Sequence, residues 1–252
     1  MLKITALVVG LYILICLVLY VTQRKMLYFP QPATALSDFP QIEIKAANGV
    51  HLEGWVINPK SDEALLYFGG NAEAIGENAT YFARTLPGYS VYLIPYRGYG
   101  NSTGTPTEPN LYADALLIYD QIAAQHSVVV AMGRSLGTGI ATYLAANRKI
   151  AKLVLVTPYD SIESLAQQTY WMFPIKWLLK DKYRSWQHIK QIDTEVLAII
   201  AGQDRVIPLE STKKLLIYCN SMLLRTVTID EADHNNVSTF AKFDQALLDF
   251  LN

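Results

Sequence analysis

A serine between two glycines is the residue of this sequence best suited to covalent chemistry. Residues Gly133 to Gly137 read G-R-S-L-G, which fits the pattern G-x-S-x-G around Ser135. The apolar run 128–132 before the pattern is typical of a strand, and residues 139–147 after it are typical of a helix. In this setting the pattern predicts a strained turn that presents the serine hydroxyl as a nucleophile, with glycines where a side chain would collide with neighbouring backbone.

A serine nucleophile needs a general base, and the base needs an acid that orients it. His234 follows the strand-like run 223–229, and Asp204 follows the strand-like run 195–201. Both come after Ser135, in the order acid and then histidine that a strand–turn–helix nucleophile of this kind uses. We therefore predict that Ser135, Asp204 and His234 are the catalytic residues.

Other residues of the same types are alternatives. Asp233 is a competing acid, although an immediate neighbour of the histidine is badly placed to reach its ring. Asp160, after the strand-like run that ends at Val156, is a second alternative acid. The remaining histidines fit less well because they precede the serine or lie in an inserted stretch; they are His51, His126 and His188.

The negative charge that develops on the substrate oxygen needs two preorganised backbone amides. We expect one from Leu136, the residue after the nucleophile. We expect the other from the loop 69–72, which follows the third predicted strand, and there we choose Asn71. The alternative for this loop is an ordinary glycine-rich turn before a helix.

The elements that must position these residues follow from composition and hydrophobic periodicity. The chain has 252 residues, of which 51% are hydrophobic and 17% charged, which suits one large domain with a buried core. Two alternating segments, 41–45 and 51–57, predict an antiparallel hairpin, and strands then alternate with helices. The sequence therefore predicts an α/β fold with a mostly parallel central sheet and helices on both faces.

Charge and cysteine content narrow the classes of partner. The net charge of -1 gives no electrostatic reason to expect nucleic acid binding. Two cysteines, Cys16 and Cys219, form neither a disulfide framework nor a metal-binding spacing. We expect no cofactor, no metal ion and no obligate protein partner.

The N-terminal segment 4–21 contains 18 residues without a charge. As a helix it would span about 27 Å, close to the roughly 30 Å hydrocarbon core of a bilayer. The run is longer than the core of a cleaved signal peptide, and no small-residue cleavage site follows. We therefore predict a single-pass anchor over residues 1–25. Lys3 on one side nearly balances Arg24 and Lys25 on the other, so the membrane side stays open, with a slight preference for an extracytoplasmic catalytic domain.

One stretch of the predicted domain 26–252 interrupts the alternation of strands and helices. Residues 159–192 contain three of the four tryptophans of the chain, together with Phe173; these are Trp171, Trp177 and Trp186. The aromatic residues either pack a helical excursion onto the core or form a lid or acyl-binding wall over the active site. Both interpretations stay open at this point.

Several segments, in order along nearly the whole chain, carry a family resemblance; they are 24–30, 70–72, 96–106 with Glu108, 133–139, 158–162, 202–204 and His234. They resemble the α/β-hydrolase superfamily, and within it the small membrane-anchored subgroup of α/β-hydrolase-domain serine hydrolases. The family usually has His-Gly before the asparagine, where this sequence has Gly69 and Gly70. Relatives that remove palmitoyl groups carry an N-terminal cysteine cluster, whereas Cys16 stands alone, so that substrate is not transferred to this chain.

The resemblance implies an α/β-hydrolase fold and a membrane-anchored serine hydrolase that cleaves a carboxylic ester or thioester of a small acyl or lipid-like substrate. One alternative is a serine peptidase of the aminopeptidase type, which would use the same residues on an amide. Another is a catalytically silent scaffold on the same fold, since a fold does not fix a function. The intact set of serine, aspartate and histidine argues against the scaffold.

Overall fold

The computed structural model describes residues 2–252, and within them eight strands form one sheet in the order β1-β2-β4-β3-β5-β6-β7-β8. The strands are β1 Gln41–Lys45, β2 His51–Ile57, β3 Glu63–Phe68, β4 Tyr89–Leu93, β5 Val128–Arg134, β6 Lys152–Val156, β7 Glu195–Ala201 and β8 Leu224–Ile229. Strand β2 pairs antiparallel with β1 and β4, and every other pairing in this sheet is parallel. The predicted parallel sheet and the N-terminal antiparallel hairpin are both confirmed.

The α-helices precede the first strand, lie between the strands and follow the last strand. They are α1 Leu2–Leu27, α2 Ala79–Thr85, α3 Glu108–Ile122, α4 Leu136–Asn147, α5 Ile162–Thr169, α6 Ile175–Leu178, α7 Ser185–His188, α8 Leu209–Leu216 and α9 Ala241–Leu251. Short 3₁₀ helices cover Ala47–Gly49, Ile75–Asn78, Ile189–Gln191 and Val237–Thr239. The predicted order of strands and helices is therefore confirmed, with boundaries that shift by a few residues.

The central strands are buried on both faces. In β6, Leu153 and Leu155 belong to the apolar cluster on one side of the sheet, whereas Val154 and Val156 belong to the cluster on the other. Successive side chains of a strand point to opposite faces, so a strand covered on both sides must be apolar at every position. This requirement explains why the central strands read as continuous hydrophobic runs.

Helix α1 is the one helix within residues 2–252 that is long and apolar enough to cross a membrane. None of its described side chains is buried against the rest of the protein. It extends to Leu27, two residues beyond the expected end of the anchor, and its last turns contact the globular domain. The helix therefore continues without a break from the apolar segment onto the protein surface.

The sequence pattern of residues 72–86 predicts a helix, but the α-helix of the structure begins later. Its first residues form a turn, the 3₁₀ helix Ile75–Asn78 follows, and the α-helix starts only at Ala79. The carboxylate of Glu73 accepts hydrogen bonds from the Gly70 amide (2.7 Å) and the Asn78 side chain (2.7 Å). These bonds close a turn that a helix at this position would not allow.

The segment 96–106 holds this turn in place. Tyr96 donates its hydroxyl to the Gly69 carbonyl (2.7 Å), and Tyr99 donates to the Asn71 carbonyl (2.6 Å). Arg97, a residue of this segment, attaches the segment to α3. Its guanidinium forms two hydrogen bonds to the carboxylate of Asp114 on that helix. Both partners of this ion pair are less than 10% exposed, so the pair lies inside the protein.

We predict that Asp114→Asn strongly destabilises the protein, because it leaves the Arg97 charge buried without its partner. Breaking one side of a buried ion pair costs about 3 to 5 kcal/mol, which for a domain of this size lowers the thermal midpoint by roughly 10 °C. The measurement is the unfolding midpoint of the full-length protein in a mild detergent.

The matched control is Asp120→Asn. Asp120 forms the same kind of two-bond pair with Arg148, but its side chain is 50% exposed. An exposed pair is worth less than about 1 kcal/mol, so this variant should melt close to the wild type. Equal midpoints for the two variants would contradict the structural role of the buried pair.

Candidate active site

The turn between β5 and α4 places Ser135 in a strained backbone conformation, with φ +50° and ψ −120°. The turn is forced by close backbone packing on either side. A Cβ atom at Gly137 would lie 2.0 Å from the Phe68 carbonyl oxygen, and one at Gly133 would lie 2.3 Å from the Gly137 carbonyl oxygen. Only glycine fits at these two positions, so the sequence G-x-S-x-G produces the sharp turn that the pattern predicts.

The side chains of Ser135, His234 and Asp204 form one hydrogen-bonded chain. Ser135 Oγ lies 2.9 Å from His234 Nε2, and His234 Nδ1 lies 2.7 Å from Asp204 Oδ2. The three residues come from the carboxyl ends of β5, β8 and β7, which meet at one edge of the parallel sheet. The structure thus brings together the three residues that the sequence analysis selected as catalytic.

The hydrogen bonds of Asp204 determine which ring nitrogen of His234 carries the proton. Asp204 Oδ1 accepts from the backbone amides of Val206 (2.8 Å) and Ile207 (2.7 Å), which fixes the carboxylate. An ionised carboxylate can only accept, so Oδ2 requires a proton on Nδ1 of the histidine. Nε2 then has a free lone pair that faces the Ser135 hydroxyl, as a general base needs.

The two alternative acids have other partners. Asp160 Oδ1 accepts from the Ser211 hydroxyl (2.5 Å). Asp233 Oδ1 accepts from the backbone amides of Asn235 and Asn236, and these two bonds lower the pKa of Asp233. Asp233 therefore shapes the loop that carries the histidine, and its carboxylate bonds to that loop instead of to the ring.

The other three histidines lie away from Ser135 and have their own neighbours. His51 Nδ1 contacts Glu43 Oε1 at 2.5 Å, and His126 Nε2 contacts the hydroxyl of Tyr92 at 2.7 Å. His188 packs edge-on against tyrosine rings, and burial lowers its pKa. The contacts found for these three histidines are therefore with residues outside the proposed catalytic set.

The loop 69–72 lies beside the serine. A Cβ atom at Gly70 would be 3.7 Å from Ser135 Cβ, and the Gly70 amide is already bonded to Glu73. Asn71 is held by its side-chain amide, which donates to the Leu27 carbonyl (2.9 Å). Its carbonyl accepts from the Tyr99 hydroxyl and from another backbone amide. Within residues 2–252 the amides of Asn71 and Leu136 have no protein acceptor, which leaves both free for a ligand.

Two residues that the sequence analysis did not select connect the loops around the serine. Glu73 Oε2 accepts from the Gly70 amide and lies 3.7 Å from the guanidinium of Arg134. Arg134 Nη2 donates to the carbonyl oxygens of His234 (3.3 Å) and Asn235 (3.1 Å). A charged residue at the variable position before the serine is the one sequence signal that points to Arg134, and no comparable signal marks Glu73.

Comparison with known proteins agrees with this geometry. Residues 63–177 match the family model described as alpha/beta hydrolase fold. The chain is 31% identical over 229 residues to an uncharacterized protein of Mycobacterium tuberculosis strain H37Rv, with 85% of this chain and 81% of the relative covered. It is 27% identical over 264 residues to the protein bem46 of Schizosaccharomyces pombe, with 92% and 87% covered.

A further relative has a named activity. The chain is 32% identical over 202 residues to the lysophosphatidylserine lipase ABHD12 of Xenopus tropicalis, with 70% of this chain and 52% of the lipase covered. The chain therefore spans about half the length of that lipase.

Solved structures share the fold at lower identity. The Pyrococcus furiosus esterase Pf2001 superposes with a TM-score of 0.70 at 17% identity, covering 89% of this chain and 98% of the esterase. A hydrolase from Pseudomonas aeruginosa PA01 superposes with a TM-score of 0.68 at 17% identity, covering 86% and 100%. With the parallel sheet, the serine turn, the matching family model and the Mycobacterium tuberculosis relative together, the chain belongs to the α/β-hydrolase family.

Proposed function

We propose that this protein is a membrane-anchored serine hydrolase that cleaves a carboxylic ester or thioester of a lipid-like acyl substrate. The observation that carries the proposal is the hydrogen-bonded chain from Ser135 through His234 to Asp204 at the carboxyl edge of the sheet. A serine, a histidine and a carboxylate in this order and at these distances are the groups that acyl transfer requires.

In the proposed reaction Ser135 Oγ attacks the acyl carbonyl carbon while His234 Nε2 takes the hydroxyl proton. Asp204 stabilises the imidazolium that forms and keeps the ring in its orientation. The same proton then passes to the leaving oxygen or sulfur, and the acyl group stays on the serine. A water molecule, deprotonated by His234, attacks the acyl-enzyme and releases the carboxylic acid and the free serine.

The charge on the carbonyl oxygen would be held by the backbone amides of Leu136 and Asn71. Both amides lack a protein acceptor within residues 2–252, and Leu136 begins helix α4, whose N-terminal dipole favours a negative charge. The bonds from Asn71 to Leu27 and Tyr99 hold its peptide group in place. Preorganised donors of this kind stabilise the oxyanion without reorganisation during the reaction.

Two observations favour an ester or thioester over a peptide substrate. Relatives that carry a named activity include lysophosphatidylserine lipases. An aminopeptidase also needs a free acidic group for the substrate amine. Glu73, the acidic side chain bonded to the loop beside Ser135, already accepts from Tyr67, Gly70 and Asn78 and faces Arg134.

We predict that Ser135→Ala abolishes labelling by a fluorophosphonate probe, because the probe reacts with an activated serine hydroxyl. The matched control is Ser127→Ala. Ser127 is an exposed serine immediately before the first residue of β5, whereas Ser135 follows the last residue of that strand. The control variant should be labelled as strongly as the wild type. Labelling is measured on full-length protein in membranes. Persistent labelling of Ser135→Ala would exclude this serine as the nucleophile.

We predict that Asp204→Asn reduces kcat for a short-chain nitrophenyl ester by roughly 10² to 10⁴, with KM little changed. The substitution removes the carboxylate that holds the required tautomer of His234. Asp233→Asn should cost less than about tenfold, since Asp233 acts through the shape of the loop. If Asp233→Asn is the more damaging of the two, the acid is misassigned.

We predict that α1 anchors the protein in a membrane. The full-length protein should stay in the membrane pellet after alkaline carbonate extraction. The double substitution Leu14→Arg and Leu17→Arg places two charges in the middle of α1, where each costs about 2.5 to 3.5 kcal/mol, and should shift the protein to the supernatant. Extraction of the wild type into the supernatant would contradict the anchor.

A further inference from the structure

The tip of the inserted stretch touches the middle of helix α1. We call residues 162–179, which comprise α5, α6 and their connection, the α5–α6 hairpin. The ring of Tyr12 stacks on Phe173 with centroids 5.5 Å apart and planes inclined by 13°. The Tyr12 hydroxyl also donates to the Met172 carbonyl at 2.9 Å. The hairpin therefore reaches along α1 as far as Tyr12, 15 positions before the helix ends at Leu27.

The base of the hairpin is fixed to α1 as well. Gln23 donates its side-chain amide to the Leu178 carbonyl (3.0 Å) and accepts from the Lys180 amide (2.6 Å). Arg24 forms a two-bond pair with Asp181, whose side chain is only 2% exposed. With contacts at both its tip and its base, the hairpin lies parallel to the second half of α1.

These contacts set the depth of the hairpin relative to a membrane. Tyr12 lies nine positions before Val21, the last residue of the apolar segment 4–21. At 1.5 Å per residue that distance is about 14 Å, which is roughly half the thickness of a hydrocarbon core. If α1 spans a bilayer, the tip of the hairpin lies near the level of the bilayer centre.

The surface of the hairpin has the chemistry of such an environment. Trp171, Met172 and Trp177 are 73%, 61% and 80% exposed. Large apolar side chains grouped on a protein surface indicate contact with a membrane or a partner. The one cation between them, Lys176, has a side chain long enough to reach towards the headgroups.

The residues near the base of the hairpin fit the membrane interface. Lys180 Nζ lies 4.0 Å from the centre of the Tyr20 ring. Lysines and tyrosines of this kind are enriched where hydrocarbon meets water. Trp171 and Met172 at the tip, and Lys180 beside Tyr20 at the base, therefore match the change from hydrocarbon to interface along one leaflet.

A cleft of about 160 Å³ separates the hairpin from α1. Its walls are mainly apolar side chains from both elements, among them Leu19, Met26, Leu27, Ile162, Ala166 and Leu179. The carbonyl of Leu27 accepts from the Asn71 side chain, and a Cβ atom at the preceding residue, Gly70, would lie 3.7 Å from Ser135 Cβ. One residue that lines the cleft, Leu27, is therefore hydrogen-bonded to the loop beside the proposed nucleophile.

We propose that the α5–α6 hairpin inserts into the same leaflet as α1, and that the cleft between them admits one acyl chain of a membrane lipid from the side. This inference rests on the proposed anchoring by α1 and deepens the proposed function. Whatever surrounds the second half of α1 also surrounds Trp171 and Trp177, because the hairpin is hydrogen-bonded to Tyr12 at its tip and to Gln23 at its base. An acyl chain matches the apolar walls of the cleft, and the scissile ester then lies near Ser135.

The first test is tryptophan fluorescence of the full-length protein in phosphatidylcholine vesicles brominated on the acyl chains, compared with unbrominated vesicles. Bromine quenches by contact, so roughly half of the emission should be lost, since two of the four tryptophans lie in the hairpin. The double substitution Trp171→Phe and Trp177→Phe keeps the apolar surface and should remove the quenching. Trp186→Phe is the matched control and should keep it, because Trp186 packs against Tyr218 outside the hairpin.

The second test separates lipid entry from the chemistry. The double substitution Trp171→Asp and Trp177→Asp places two charges in the leaflet and should lower hydrolysis of a long-chain lysophospholipid in vesicles by at least about tenfold. Turnover of a short-chain nitrophenyl ester in solution should stay within about twofold, since neither tryptophan lines the cleft. Equal loss on both substrates, or no loss on the vesicle substrate, would overturn the entry route.

The outcomes distinguish this inference from the proposals on which it rests. Absence of quenching in protein that sediments with the vesicles and resists carbonate extraction would overturn the insertion of the hairpin while the anchor stands. Such a result would point to a protein partner for the exposed tryptophans. Protein that does not sediment with vesicles would refute the anchor and the insertion together. Absence of activity towards the nitrophenyl ester in the wild type would refute the proposed hydrolase itself.

Discussion

The close approach of three backbone segments at the end of β5 is the constraint on which the candidate site depends. Gly137 packs its Cα against the Phe68 carbonyl at the end of β3, and Gly133 packs against Gly137. The Ser135 amide donates to the Val156 carbonyl at the end of β6 (3.0 Å). With the chain fixed on both sides, Ser135 has to adopt a positive φ, and the strain is held by the surrounding sheet.

A second set of contacts transmits this constraint to the loops that carry the other proposed catalytic groups. The Glu73 carboxylate joins the loop 69–72 to Arg134, and Arg134 holds two carbonyl oxygens of the loop that carries His234. The side chains of Glu73 and Arg134 are only 13% and 21% exposed, so their attraction is weakly screened by solvent. The serine turn, the proposed oxyanion loop and the histidine loop therefore behave as one unit.

The sequence predicts the position of a residue well when that position follows from the preceding strand. It predicts less well the role of a residue that depends on contacts with distant parts of the chain. Ser135, Asp204 and His234 each lie three to five positions after the end of a strand-like run, so the position of each at the edge of the sheet was predictable from the run. Glu73 and Arg134 were not predictable as a pair, because 61 residues separate them and only the folded sheet brings them together. The helix expected from residue 72 was also wrong at its start, since a local helical pattern does not reveal the turn that Glu73 closes.

The same distinction applies to the N-terminal segment, which hydrophobicity alone describes as a separate anchor. Its length and lack of charge are visible in the sequence, but its contacts with residues about 160 positions away are not. Asp181 pairs with Arg24 and also accepts from the Glu108 amide at the start of α3 (3.1 Å). The Glu108 side chain in turn accepts from the backbone amides of Lys182 and Tyr183. Helix α1, the inserted stretch and α3 are therefore fixed to one another.

The rigid connection between α1 and the globular domain fixes the orientation of the domain, which a flexible tether would not do. The Leu27 carbonyl at the end of α1 holds the side chain of Asn71, and Tyr28, the next residue, is buried with its hydroxyl 2.8 Å from that of Tyr183. A tethered domain would sample many orientations above a membrane, and its site would face the bilayer only part of the time. Here the direction of α1 determines the direction in which the loop beside Ser135 faces. If α1 anchors the protein as proposed, it also orients the site, and the cleft along α1 then faces the acyl chains of the membrane.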